Sequence, residues 1–399
     1  MKVRISLILV VAFLLGESVV EAQDRWRGYW GTEARAFGSA PAFPGQADGG
    51  QFSLLAEPEY YREWAAGRDS FTFSPFVRLD SQDPERTHFD VRELYWQRAA
   101  RGWELRVGLS KVFWGVTESQ HLVDIVNQTD LIEGVDGEAK LGQPMVKLTI
   151  ARRWGIVDLF VLPGFRERTF PGVDGRLRPP IPINADDALY ESSAEDSHVD
   201  FAGRWSHAIG PFDIGVSHFS GTSRDPRFVP RRSGSGAPEL VPFYEQIDQT
   251  GMDFQATIGS WLWKLEAIRR DGIDGAFAAA TGGFEYTFWS VASSSIDIGA
   301  LAEYLWDERG VTAVSPFAND LFVGTRLAFN DVQDTSILAG LVSDLDGQGR
   351  SLLLEASRRL VGSWVLEVEA RGFSGVRPNN PLAWLGGDDY FQVGVLSHF

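Results

Sequence analysis

From Trp26 to the last residue the chain is a series of segments in which apolar and polar side chains alternate. Each segment is about ten residues long, the length of a strand tilted across a bilayer. Phe71, Phe73, Pro75, Val77 and Leu79 alternate with Thr72, Ser74, Phe76, Arg78 and Asp80, so one face is oily and the other mostly polar. The same period sets Trp103, Leu105, Val107 and Leu109 against Glu104, Arg106, Gly108 and Ser110, and Val146, Leu148 and Ile150 against Lys147 and Thr149. Farther on, Val199, Phe201 and Trp205 oppose Asp200 and Arg204, Trp261, Trp263 and Leu265 oppose Lys264 and Glu266, and Trp364, Leu366 and Val368 oppose Glu367 and Glu369. A helix repeats every 3.6 residues or so, and a period of two sustained over this many segments is incompatible with one.

Eighteen segments can be counted, starting near Trp26, Gln51, Phe71, Phe89, Trp103, Val146, Ile156, Val199, Phe212, Gln246, Trp261, Phe277, Ile296, Asp320, Ser336, Arg350, Trp364 and Asp389. A soluble sandwich would alternate too, but it has no reason to sort its connections by parity. Here the even-to-odd connections are short, such as Trp154-Gly155 and Gly259-Ser260, and the odd-to-even ones are long, as in 116–145, 166–198, 221–245 and 374–388. That is the pattern of a membrane barrel with short periplasmic turns and long external loops. Trp64, Trp96, Trp103, Trp154, Trp205, Trp261, Trp263, Trp289 and Trp364 lie beside the short connections, where amphipathic rings form an interfacial girdle. The expected fold is all-β: a closed antiparallel transmembrane barrel of about eighteen strands, with sixteen as the smaller alternative. Within it, segment two is the weakest strand because of Pro58, and segment four has a broken alternation, since Arg92 and Glu93 cannot both face inward on a regular strand.

The first residues add an export address. Lys2 and Arg4 precede an apolar run from Ile5 to Leu15, and Val20-Glu21-Ala22 follows, which predicts a signal peptide over 1–22 and a barrel over 23–399. The run is too short to span a bilayer as a helix, which takes roughly 20 residues. The chain carries a formal net charge of −17, the opposite of the basic footprint that nucleic-acid binding needs. It has no cysteine, so neither disulfides nor thiolate metal sites are available.

The final strand, Tyr390 to Phe399, alternates and ends on an aromatic residue. In this it resembles the bacterial outer-membrane barrels, with Phe391, Val393, Val395 and Phe399 matching their terminal strand and Ser397 a weaker member. That resemblance implies residence in the Gram-negative outer membrane, contact with its lipid and lipopolysaccharide, and recognition of this strand by the barrel-assembly machinery. A second stretch, Asp90-Val91-Arg92-Glu93-Leu94-Tyr95, then Glu104-Leu105-Arg106-Val107-Gly108, then Val112-Phe113-Trp114-Gly115, is similar to the opening of porin-like families, which implies a channel for small polar solutes.

Candidate chemistry concentrates in the loop 116–145. It holds Glu118, Asp124, Asp130, Glu133, Asp136 and Glu138 against Lys140, with His121 between them. Folded into the lumen, Glu118, Asp124, Asp130 and Glu133 would face Arg78, Arg106, Lys147, Arg204 and Arg326 on the polar strand faces, and the field between acidic loop and basic wall would filter solutes by charge. The other reading makes the loop an external lid whose acids are simply solvated. Catalysis has little support: the six histidines are not in metal-ligand spacing on a strand face, no Gly-x-Ser-x-Gly elbow is present, and nothing points to a cofactor. A lone pair such as His198 with Asp196 or Asp200 is the nearest approach to an enzyme. The sequence therefore predicts a passive channel, with an excess of lumen acids favouring cations. It leaves open a non-conducting barrel that acts in binding, adhesion or envelope organisation through its loops, and both a trimer and a monomer.

Overall fold

A computed structural model describes residues 23–376, 378 and 380–399; the expected signal peptide lies outside them. The alternating segments form β1 Gln23–Phe37, β2 Gln51–Trp64, β3 Asp69–Asp80, β4 His88–Ala100, β5 Trp103–Ser110, β6 Gln143–Arg152, β7 Gly155–Pro163, β8 Val199–Ile209 and β9 Phe212–Thr222. They continue as β10 Gln246–Ile258, β11 Trp261–Gly272, β12 Gly275–Phe288, β13 Asp297–Asp307, β14 Asn319–Ala328, β15 Ser336–Asp344, β16 Arg350–Arg359, β17 Trp364–Ser374 and β18 Tyr390–His398. All eighteen pair antiparallel with their sequence neighbours, and β1 pairs with β18 from Tyr29↔His398 to Phe37↔Tyr390, so the sheet closes and has no free edge. Closure leaves no sheet edge open, which is what a β-structure surrounded by lipid requires.

Because successive side chains point to opposite faces, the wall is sided. Leu79, Phe89, Phe201, Val323 and Leu352 are exposed on the outside, while Arg78, Ser74, Asp253 and Thr281 are buried inside. Aromatic rings cluster near the short-turn rim: Trp30 meets Trp364 edge-on at 5.3 Å, and Trp261 stacks on Trp263 at 5.4 Å. Two connections depart from the expected parity. Residues 273–274 between β11 and β12 and 345–349 between β15 and β16 lie on the long-loop side, and are shorter than 289–296 and 329–335 on the other rim.

Two local irregularities follow from the sequence. The β2–β3 ladder lapses between Ala56↔Val77 and Tyr60↔Phe73, where Pro58 and Pro75 lack the N–H to sustain it. Against Pro58, β1 places Gly28 at φ +140, because a Cβ there would meet the Pro58 backbone at 2.7 Å. The second irregularity is a bulge. Ser74 pairs with Glu93 but Pro75 with Val91, so Arg92 is the extra residue and both Arg92 and Glu93 turn inward.

On the last strand, Phe391 is exposed on the lipid side, Val393 pairs with Ala34 and Val368, and Phe399 is exposed at the rim. Beyond the barrel rim, 227–232 and 238–244 form a hairpin that pairs with 189–190, a small sheet in the external loops.

Candidate functional site

Ser110 pairs with Gln143, and there β5 and β6 stop, whereas β4 continues past Leu94, the partner of Leu109, as far as His88. The connection therefore comprises residues 111–142 and leaves the wall about half-way up; Gln143, Pro144 and Met145, expected in the loop, are on β6. Val112, Trp114, Leu122, Val123, Ile125 and Val126 pack against Phe160, Leu162, Phe219, Ile268 and Phe277, which face the lumen. Burial of such side chains stabilises by roughly 1.5–3 kcal/mol each, so this side of the loop is a fixed part of the barrel.

The far wall holds the loop through two buried carboxylates. Glu266 on β11 accepts the backbone N–H of Val116 at 2.7 Å, Thr117 at 3.0 Å and Val123 at 3.1 Å, and the Thr117 hydroxyl at 2.7 Å. Glu303 on β13 accepts the N–H groups of Glu118 and Ser119, each at 2.8 Å, and the Ser119 hydroxyl at 2.6 Å. Charge-assisted bonds of this kind are about twice as strong as neutral ones and leave neither carboxylate oxygen unsatisfied. From there the loop runs back to the opposite side, where Asp130 meets Arg92 of β4 at 2.6 Å, Glu133 meets Arg78 of β3 at 2.6 Å, and Asp136 meets Arg371 of β17 at 2.7 Å.

Searches with this chain find no matching family model and no matching curated protein. Solved structures do match. A BenF-like porin from Pseudomonas fluorescens is similar with a TM-score of 0.56 at 10% identity, over 95% of this chain and 98% of that one. Pseudomonas aeruginosa OccK8 is similar with a TM-score of 0.53 at 11% identity, again over 95% and 98%. Wzi, an Escherichia coli outer-membrane protein, is similar with a TM-score of 0.54 at 10% identity, over 92% of this chain and 83% of that one. The chain has the outer-membrane porin-like barrel fold.

Within this porin-like barrel the expected filter residues divide. Glu118 reaches Arg326 at 2.7 Å and Lys264 at 3.5 Å, and Glu133 reaches Arg78, which also holds Glu33. These are the two expected meetings of loop acid and wall base. Asp124 does not face the wall; Lys140 of the same loop pairs with it at 3.2 Å, and its carboxyl is raised by burial. Arg106 meets no loop carboxylate: it donates to Gln97 at 2.8 Å and lies over the Tyr95 ring, below the loop. Lys147 pairs with Asp158 at 3.2 Å, and Arg204 with Asp253 while stacking near Trp114. Lys147 and Arg204 are neutralised by inward acids of the wall, Asp158 on the adjacent β7 and Asp253 two strands away on β10, while Arg106 is held by the uncharged Gln97 of the adjacent β4.

Sequence reasoning missed Arg92, Glu266 and Glu303 as anchors. The interrupted alternation at Arg92-Glu93 was the available signal for the first. Nothing local separates Glu266 and Glu303 from other inward acids. At the turn of the loop, His121 lies between Glu138 at 3.1 Å and Glu266 at 3.7 Å. Burial works against its charge, but the two carboxylates beside it push its pKa up to about 10. Gly115 (φ +152) sits beneath, where a Cβ would meet the His121 ring at 2.9 Å.

His88, Asp130 and Glu133 offer ligand atoms within 4.8 Å of one another, a group that could hold a metal ion. Both carboxylates already carry a guanidinium, from Arg92 and Arg78, which a cation would have to displace. The other long loops interlock above. Arg176 pairs with buried Asp388 at 2.8 Å, Arg168 and Arg270 hold Asp225 well below the usual carboxylate range, and Phe228 meets Trp384 at 6.2 Å. His198 bonds Asp200 at 2.8 Å, but Asp200 also holds Arg224 at 2.6 Å and the Thr222 N–H at 3.0 Å, so the pair fastens a loop to β8.

Proposed function

We propose that this protein is a passive outer-membrane channel for small polar solutes, that it prefers cations, and that residues 111–142 with the wall facing them are its filter. The observation that carries the reading is solvent exposure at the height of the loop. Side chains of Lys111, Arg326, Glu355 and Glu138 are 37%, 40%, 47% and 57% exposed. Water therefore reaches the level at which the loop crosses, and the loop narrows the lumen without filling it. Cation preference rests on the imbalance of charge there: among the described residues, Arg371 alone pairs with Asp136, Glu355 and Glu369. Acidic linings favour cations.

Swelling of proteoliposomes in solutes of graded size tests the proposal. Entry of amino acids and monosaccharides faster than of trisaccharides is the expected result, and swelling no faster than that of empty liposomes overturns it.

A second reading, a barrel that binds and does not conduct, is favoured by the interlocked outer loops. Wzi, similar in fold, is described as a carbohydrate-binding β-barrel involved in capsule assembly. On that reading swelling is absent and a glycan is retained by the external loops.

A further inference from the structure

Resting on the channel reading, the geometry points to a binding subsite for organic ammonium ions at mid-pore, formed by the ring of Phe113 and the carboxylate of Glu138. Phe113 is the one residue of its stretch that turns away from the wall. Val112 and Trp114 on either side pack into the apolar cluster, while the Phe113 ring is 56% exposed at a height where the lumen is aqueous. A large apolar ring held in water is a cost that packing does not explain, since the neighbours show that burial was available.

The ring is also fixed in place. It meets the His121 imidazole edge-on, with centroids 4.8 Å apart and planes at 84°. His121 in turn bonds Glu138, whose side chain is more than half exposed, and lies near buried Glu266. An aromatic surface and an exposed carboxylate are thus bridged by one imidazole. Fully charged, the group of His121, Glu138 and Glu266 sums to one negative charge, which opposes an anion. An ammonium ion gains from both open features, through the negative face of the ring and through the carboxylate. A small inorganic cation, with its tightly held water, gains from the carboxylate alone. A neutral sugar gains from neither charge.

Tetramethylammonium chloride is the probe, with potassium chloride and glucose as references. In planar bilayers the full barrel should show tetramethylammonium slowing potassium current. Phe113→Ala and Phe113→Leu should each weaken that block about fivefold relative to the variant's own potassium current, Phe113→Trp should keep or deepen it, and Glu138→Gln should weaken it. Saturation transfer from the detergent-solubilised protein to the tetramethylammonium methyls, present in the wild type and lost in Phe113→Leu, reads the same contact without requiring conduction. Potassium current with no block and no saturation transfer overturns the subsite and leaves the channel standing. Saturation transfer without any current keeps the subsite and overturns the channel. Equal block by the Leu and Trp variants, or a glucose contact that falls with them, overturns the assignment to ammonium ions.

Discussion

Glu118 of the crossing loop meets Arg326 of β14 at 2.7 Å, and Lys264 of β11 stands 3.5 Å away on its other side. One carboxylate thus faces two cations at the height where water enters, and Glu285 stands 3.7 Å from the same Arg326. Replacing Arg326 with Gln removes a half-exposed positive charge and should raise cation preference; Glu118→Gln takes a negative charge from Lys264 and leaves Arg326 the more distant Glu285, and should lower it. A pair this exposed contributes about 0–1 kcal/mol, so melting temperatures should move little. Zero-current potentials at several salt concentrations check the prediction, and the difference between variants should shrink as salt rises, since screening acts over about 8 Å at physiological strength.

Asp124→Asn should separate the loop's fold from its filter. The side chain is buried against Lys140 and accepts the Trp114 N–H, with no wall cation in reach. Its loss should cost about 1–3 kcal/mol of stability, as removal of a buried hydrogen-bonded partner does, and should leave ion preference where it was. Urea unfolding in detergent and reversal potentials together decide it. A change in selectivity without a change in stability contradicts the placement.

The strands were legible because lipid on one side and water on the other impose a strict period of two. Each strand begins within three residues of its expected start, from Gln23 against Trp26 to Tyr390 against Asp389. The loop was less so. Its early start at Lys111 depends on how far β5 and β6 pair, a property of two strands together. The partners of the acids were also hidden. Arg106 read as an inward base and Arg92 had no assigned face, but Arg92 stands in a bulge at loop height while Arg106 lies below it beside Gln97. Height along the pore is fixed by register, and register is not written in either residue.

His121 gives a pH signature. Its pKa rises from the usual 6.5 to about 10 in the folded barrel, so the imidazolium stabilises the anchored loop. For a raised pKa the contribution is complete below the unfolded value and is lost as pH climbs to the folded one. The stability advantage of the wild type over His121→Gln should therefore be constant below about pH 6.5, decline from there, and vanish near pH 10. Unfolding curves of both proteins across that range check it; an advantage that grows with pH contradicts the bridge between Glu138 and Glu266.

Phe399 closes the seam, its N–H donating to Gly28 at 3.1 Å and its carbonyl accepting from Gly28 at 3.2 Å. Deleting it should lower the amount of folded barrel in outer-membrane fractions several-fold, whereas Gly234→Ala, at an external tip with open space around it, should leave the level unchanged. Heat-modifiable migration of the membrane fraction reads folded protein directly. Equal levels for the two variants contradict the role assigned to the terminal strand.

The claim that a charged loop narrows but does not close this barrel is tested most directly by single-channel recording of the purified protein across a potassium chloride gradient. The account predicts discrete conductance steps and a zero-current potential of the sign set by cations, with larger steps when residues 114–140 are replaced by a short glycine linker. Absence of steps in the intact protein, or a potential of the sign set by chloride, would contradict it.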